Sequence, residues 1–136
     1  VIVSPLHTAG LGKSTLRFFR SPNVGADFPF HCHDDLVACL GLPRELRRFF
    51  KRKIAADWKA DIRTIATPDG IVTIAPHFMA QGLIGAAIDT RSAPSSFDED
   101  YAKAAADALK IVTTGWSADE TVAYLIEAFN RQGGGA

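Results

Sequence analysis

Five cations, Arg44, Arg47, Arg48, Lys51 and Arg52, crowd into one nine-residue stretch. A helix through that stretch turns about 100° per residue and gathers them within one arc of roughly 140°. Leu46, Phe49, Phe50 and Ile54 fall on the opposite arc, and Lys53 interrupts that apolar side with a stem long enough to snorkel out. One face is thus expected to pack on a core and the other to present five positive charges, with Glu45 the single acid between positions 44 and 54. A face of this kind attracts phosphate backbones by counterion release, and arginine can also read guanine edges.

Other residue types that do chemistry are present without a complete constellation. His31-Cys32-His33-Asp34-Asp35 carries donors that bind zinc. In a strand, though, His31 and His33 point to one face and Cys32 to the other, and His77 is the only further histidine nearby in the pattern. Helix capping accounts for Asp34 and Asp35 without a metal. Gly10-Leu11-Gly12-Lys13-Ser14-Thr15 resembles the end of a phosphate-binding loop, but His7 stands where the first glycine would be. A hairpin turn explains the segment better. No Ser-His-Asp or Cys-His set can be assembled. No enzyme activity, metal or cofactor is therefore expected.

The net charge of zero hides an asymmetry: residues 1–63 carry +5 and residues 64–136 carry −5. A neutral chain with a basic half can still present a local field to an anionic partner. Two cysteines, Cys32 and Cys39, are too few for a disulfide framework and read as reduced thiols. No apolar run spans a bilayer, and Val1–Leu6 lacks a signal-peptide pattern. These features lead to the expectation of a cytoplasmic protein without a membrane partner.

The elements that would position these residues follow from local signals. Strands are expected over Val1–Ser4, Thr15–Arg20 and Phe28–His31, with Ala9–Gly12 as turn and Ser21–Asp27 as loop. A helix starts at His33 or Asp34 and stops at Gly41; Leu42 then caps the basic helix, which has Pro43 at its first position and runs to about Ala55. Asp61–Ala66 and Ile71–Ala75 form a hairpin around Thr67-Pro68-Asp69-Gly70. A helix opens at Pro76, its Gly82 and Gly85 allowing close approach to the sheet. Ser96-Phe97-Asp98-Glu99 and Ser117-Ala118-Asp119-Glu120 both fit the reciprocal capping box. The helices they start would bury Tyr101, Ala105, Ala108, Leu109 and Val112, and Val122, Leu125, Ile126 and Phe129. Trp58 and Trp116 read as core or interface anchors, and Gln132–Ala136 as a frayed Gly-rich tail.

Pro29-Phe30-His31-Cys32-His33-Asp34-Asp35-Leu36-Val37-Ala38-Cys39-Leu40-Gly41 follows in register the pattern P-W-F-V-A-K-D-V-A-x-A-L-G. Matching positions are Pro29, Phe30, Asp35, Leu36, Leu40 and Gly41. A basic stretch (Arg44–Lys53), a hairpin (Ile62–Ala75) and Gly82-Leu83-Ile84 come next in the same order. From Leu16 to about Ile88 the chain in this respect resembles the Bro-N domain of baculovirus Bro proteins and phage antirepressors. His31 stands in place of the second aromatic, and Pro76-His77 in place of the usual Asn-Glu. The resemblance implies a DNA-binding or repressor-antagonising regulator from a mobile element.

The expected fold is α+β: a small antiparallel sheet, a helix-turn-helix-like basic unit and a C-terminal helical hairpin. Residues 1–92 would form the Bro-N-like domain, and residues 93–136 a helical extension. The expected function is transcriptional regulation through double-stranded DNA, with Arg44, Arg47, Arg48, Lys51 and Arg52 as contacts. The alternative is an interaction module that binds a repressor or other regulator without touching DNA. The short C-terminal helices need a packing partner, so a homodimer is a further expectation.

Overall fold

A computed structural model describes residues 1–132, so residues 133–136 of the Gly-rich tail lie outside the described residues. The fold is α+β. In chain order the elements are β1 (His7–Leu11), β2 (Ser14–Phe19), β3 (Phe30–Cys32), α1 (His33–Leu40), α2 (Arg44–Asp57), β4 (Arg63–Thr67), β5 (Gly70–Ala75), α3 (His77–Asp89), α4 (Phe97–Val112) and α5 (Ala118–Gln132). The five strands form one sheet in the order β1-β2-β3-β5-β4, and every neighbouring pair is antiparallel.

Alternation along the strands divides the sheet's two faces. Leu16 and Phe18 join Leu36, Leu40, Ile84, Phe97 and Tyr101 in the larger core, which α1, α3 and α4 cover. Phe19, Phe30, Cys32 and Ile74 form a smaller cluster, with Val3, Ile65 and Val72 against it. α4 belongs to the larger core through Phe97, Tyr101, Ala104 and Ala108.

Several sequence expectations shift. Val1–Ser4 is not a strand of the sheet: its only ladder contact is a parallel bridge from Ile2 to Ala66. The first strand starts at His7 and runs through Ala9 and Gly10, where turn composition was read. Pairing with the β-branched and aromatic β2 imposes extended backbone on a segment with little strand propensity of its own. The turn is confined to Gly12-Lys13, between paired Leu11 and Ser14. Gly12 takes φ 58, and a Cβ there would lie 2.5 Å from the Cys39 carbonyl oxygen. No such crowding surrounds Gly82 or Gly85: nothing lies within 4 Å of the Cβ either would carry, so close packing is not their role.

The hairpin of β4 and β5 closes at Thr67–Gly70 as its turn residues predict. The Thr67 hydroxyl donates to the Gly70 carbonyl at 2.7 Å and accepts from the Asp69 N–H at 3.2 Å. α1 stops at Gly41, which adopts the left-handed conformation at φ 63, and three residues separate α1 from α2.

Of the two capping boxes only the second forms. The Ser117 hydroxyl accepts from the Glu120 N–H at 3.1 Å, and the Glu120 carboxylate accepts from the Ser117 N–H at 2.9 Å. Ser96 sits at φ −71, ψ −13 without a side-chain cap bond. A turn bond from the Phe97 N–H to the Pro94 carbonyl has already curled the chain there, whereas a capping serine needs extended backbone. α5 seats itself by a different face than its apolar stripe. The Tyr124 hydroxyl donates to the Asp27 carbonyl at 2.7 Å, and Arg131 holds the Ala26 and Val24 carbonyls. Leu125 is half-buried, while Val122, Ile126 and Phe129, expected inside, are exposed.

Candidate nucleic-acid interface

α2 begins directly after Pro43, whose carbonyl accepts the Arg47 N–H at 3.0 Å, and ends with the Trp58 N–H on the Ile54 carbonyl. Leu46, Phe50 and Ile54, spaced i, i+4, i+8, are the half-buried stripe that seats the helix. No residue of α2 is fully buried. Phe49, expected on the packed arc, is 47% exposed and meets the edge of Phe50 with ring centroids 5.3 Å apart. The narrow stripe explains this: Phe49 lies about 100° around the helix from Phe50, beyond the reach of the core.

The five cations are all exposed. By helical position Arg44, Arg48 and Arg52 lie opposite the seating stripe. Arg47 and Lys51 lie beside it, and both line a cleft facing α1. The helix's one ion pair is elsewhere, between Lys53 and Asp57 at 3.0 Å. None of the five cations has an ion-pair or hydrogen-bond partner among the described residues. Lys13, at the tip of the β1–β2 turn, extends its side chain over Gly41, close to the start of α2.

The His31–Asp35 run is pulled apart by the fold. The Asp35 carboxylate takes the Arg17 guanidinium at 2.8 and 3.0 Å and also accepts the Arg17 N–H at 3.0 Å. The Asp34 carboxylate accepts the Thr73 N–H at 2.9 Å. The two acids therefore tie α1 to β2 and β5, and neither caps the helix they begin. Cys32 and Cys39 are buried, and that burial pushes their thiols up to about 12 and about 11. Neither is a reactive thiolate near neutrality. His31 faces the larger core, fully buried against the edge of Tyr101, and its Nδ1 has no hydrogen-bond partner. His77 stacks on the same tyrosine and meets its hydroxyl at 3.0 Å. Among the described residues no group of three or more His, Cys, Asp or Glu is placed to hold a metal ion.

No family model, curated protein or solved structure matches the chain. Among the described residues no helix is long and apolar enough to cross a membrane. His33, weighed in the sequence only as a metal donor, reaches the same cleft as Arg47 and Lys51. Its signal was missed because the three come from two helices whose spacing only the tertiary fold sets.

Proposed function

We propose that the protein binds double-stranded DNA through α2, in the manner of a transcriptional regulator or antirepressor of the Bro-N kind. The observation that carries the reading is the set of five exposed cations without partners among the described residues: Arg44, Arg47, Arg48, Lys51 and Arg52. A solvated charged face of a stable helix often pairs some of its charges along the helix, and α2 does so only at Lys53–Asp57. The short link between α1 and α2 is compatible with a helix-turn-helix-like presentation. No catalytic step is part of this reading.

The test is an anisotropy titration of a labelled random-sequence duplex at several salt concentrations. With about three to five phosphates engaged, log K against log salt should fall with a slope of roughly −3 to −4.5. Absence of binding at low salt removes the reading.

A second reading has its own observation. Val122, Ile126 and Phe129 expose one apolar stripe of α5, and Phe129 borders a cleft of about 460 Å³ shared with Phe28, Phe78 and Leu109. A stripe of this kind fits a protein partner, whether a repressor or a second copy of the chain. Under this reading alone the intact protein has negligible DNA affinity at physiological salt, and light scattering reports the association.

A further inference from the structure

α2 does not lie flush on the body of the protein. Between it, α1 and the β4–β5 hairpin a cleft of about 350 Å³ remains open, at the small end of the range that holds small-molecule ligands. Two kinds of surface line it. Val37, Ile54 and Ile62 supply an apolar wall, and Arg47, Lys51 and His33 supply polar groups.

Arg47 and Lys51 stand one helical turn apart and have no partner among the described residues. His33 is the second, independent observation. Its residue is only 9% exposed, yet its ring has no hydrogen-bond partner among the described residues. A buried polar ring ordinarily finds one. Among the described residues the only enclosed and unpartnered side-chain polar atom is His31 Nδ1, so the His33 ring meets the cleft rather than sealed core. Burial holds the His33 ring below the ordinary histidine range, against a smaller opposing pull from Asp34. The ring is therefore neutral near pH 7 and offers one donor and one acceptor. Asp34 is the one acid on the rim, and one of its oxygens is already taken by the Thr73 N–H. Two free cations against one engaged carboxylate select an anion over a cation.

We propose that this cleft binds a small amphipathic anion. Its carboxylate or phosphate group is held by Arg47 and Lys51, its apolar body lies on Val37, Ile54 and Ile62, and His33 supplies a hydrogen bond. Such a ligand would occupy two of the five cations assigned to DNA, so binding of the two would be competitive. Ligand binding itself is read without DNA, and either idea can fail alone.

The experiment is an NMR titration of the full chain with benzoate, phenyl phosphate and neutral benzyl alcohol, following the His33 ring nitrogens and the backbone amides of α2. The expected result is a saturable shift at His33, Arg47 and Lys51 with at least one of the two anions, and none with benzyl alcohol. Comparing benzoate with phenyl phosphate decides between carboxylate and phosphate. The R47Q/K51Q double variant should lose about tenfold or more in affinity, while R44Q/R52Q, of equal charge change on the outward side, keeps wild-type affinity. The proposal is overturned if neither anion saturates, if benzyl alcohol binds as tightly, or if R44Q/R52Q loses as much as R47Q/K51Q.

Discussion

α2 and α4 are amphipathic helices of similar length, 14 and 16 residues, seated in opposite ways. α4 buries Phe97, Tyr101, Ala104 and Ala108 in the main core, with Tyr101 only 1% exposed. α2 buries no residue fully and rests on a half-exposed stripe of three. Small residues on α4 let it approach β1 and α3, whereas α2 meets the body through long side chains and leaves a cleft open beside them. Stability is concentrated where packing is dense. Of the two, α2 is the helix the fold depends on less.

The sharpest way to break that comparison is a pair of aromatic truncations. Tyr101→Ala removes a ring packed against Phe18, His31 and His77. It should destabilise by about 3–5 kcal/mol, the usual range for a large buried aromatic. Phe49→Ala on α2 should change stability by less than about 1 kcal/mol, because its ring is half in solvent already. Urea denaturation of both variants checks the contrast. Equal losses would mean that α2 is as deeply seated as α4.

Acid should act on the α4 side of the core through two histidines, His31 and His77, that lie against Tyr101. Burial, reinforced by the nearby His33 and His77, lowers His31 to about 3, against 6.5 for a free histidine. Burial lowers His77 as well. From pH 6.5 down to about 3 the unfolded chain binds a proton at His31 that the folded chain refuses. Stability is therefore full above pH 6.5 and falls with acidification, at up to about 1.4 kcal/mol per pH unit for this residue. His31→Phe should remove that share of the slope. It also replaces the unpartnered Nδ1 with carbon. Thermal melts between pH 4 and 8 on both proteins give the comparison; parallel curves would show that His31 does not titrate with folding.

How much of this contrast the sequence held depends on the range of the signal. The hairpin at Thr67–Gly70 and the stop at Gly41 were readable because each rests on a few residues with local backbone demands. The cation arc of α2 was readable because helical periodicity alone generates it. The exposure of Phe49 was not, since it depends on how far α2 sinks toward the core. β1 was hidden because Thr8, Ala9 and Gly10 become a strand only through the ladder to β2. The Arg47–Lys51–His33 cleft was hidden for the same reason, as it exists only between elements.

Charge removal on α2 should leave the fold untouched. Arg47→Ala with Arg48→Ala takes away one cleft-facing and one outward cation, both exposed and without partners among the described residues. Denaturation midpoints should move by no more than about 0.5 kcal/mol equivalent. The salt slope of DNA binding should flatten by up to about two units. A slope unchanged in the double variant would assign the binding, if any, to another surface.

The most local expected effect separates two sequences that look alike. Ser96 and Ser117 each precede a glutamate by three residues, yet only Ser117 makes the reciprocal bonds with Glu120. Ser117→Ala should weaken the start of α5 by about 1 kcal/mol, the usual value of a serine cap. Ser96→Ala should do nearly nothing to α4, because the Ser96 hydroxyl makes no cap bond there. The effect belongs to α5 locally, since that helix is tied down by Tyr124 and Arg131 rather than by a sealed apolar face. Hydrogen exchange is the suitable measurement: faster exchange in the first turns of α5 for Ser117→Ala, with the amides of α4 unchanged in both variants. Equal acceleration at the start of both helices would mean that Ser96 caps α4 in solution, and that sequence pattern outweighs the turn from Pro94 to Phe97 in setting how α4 begins.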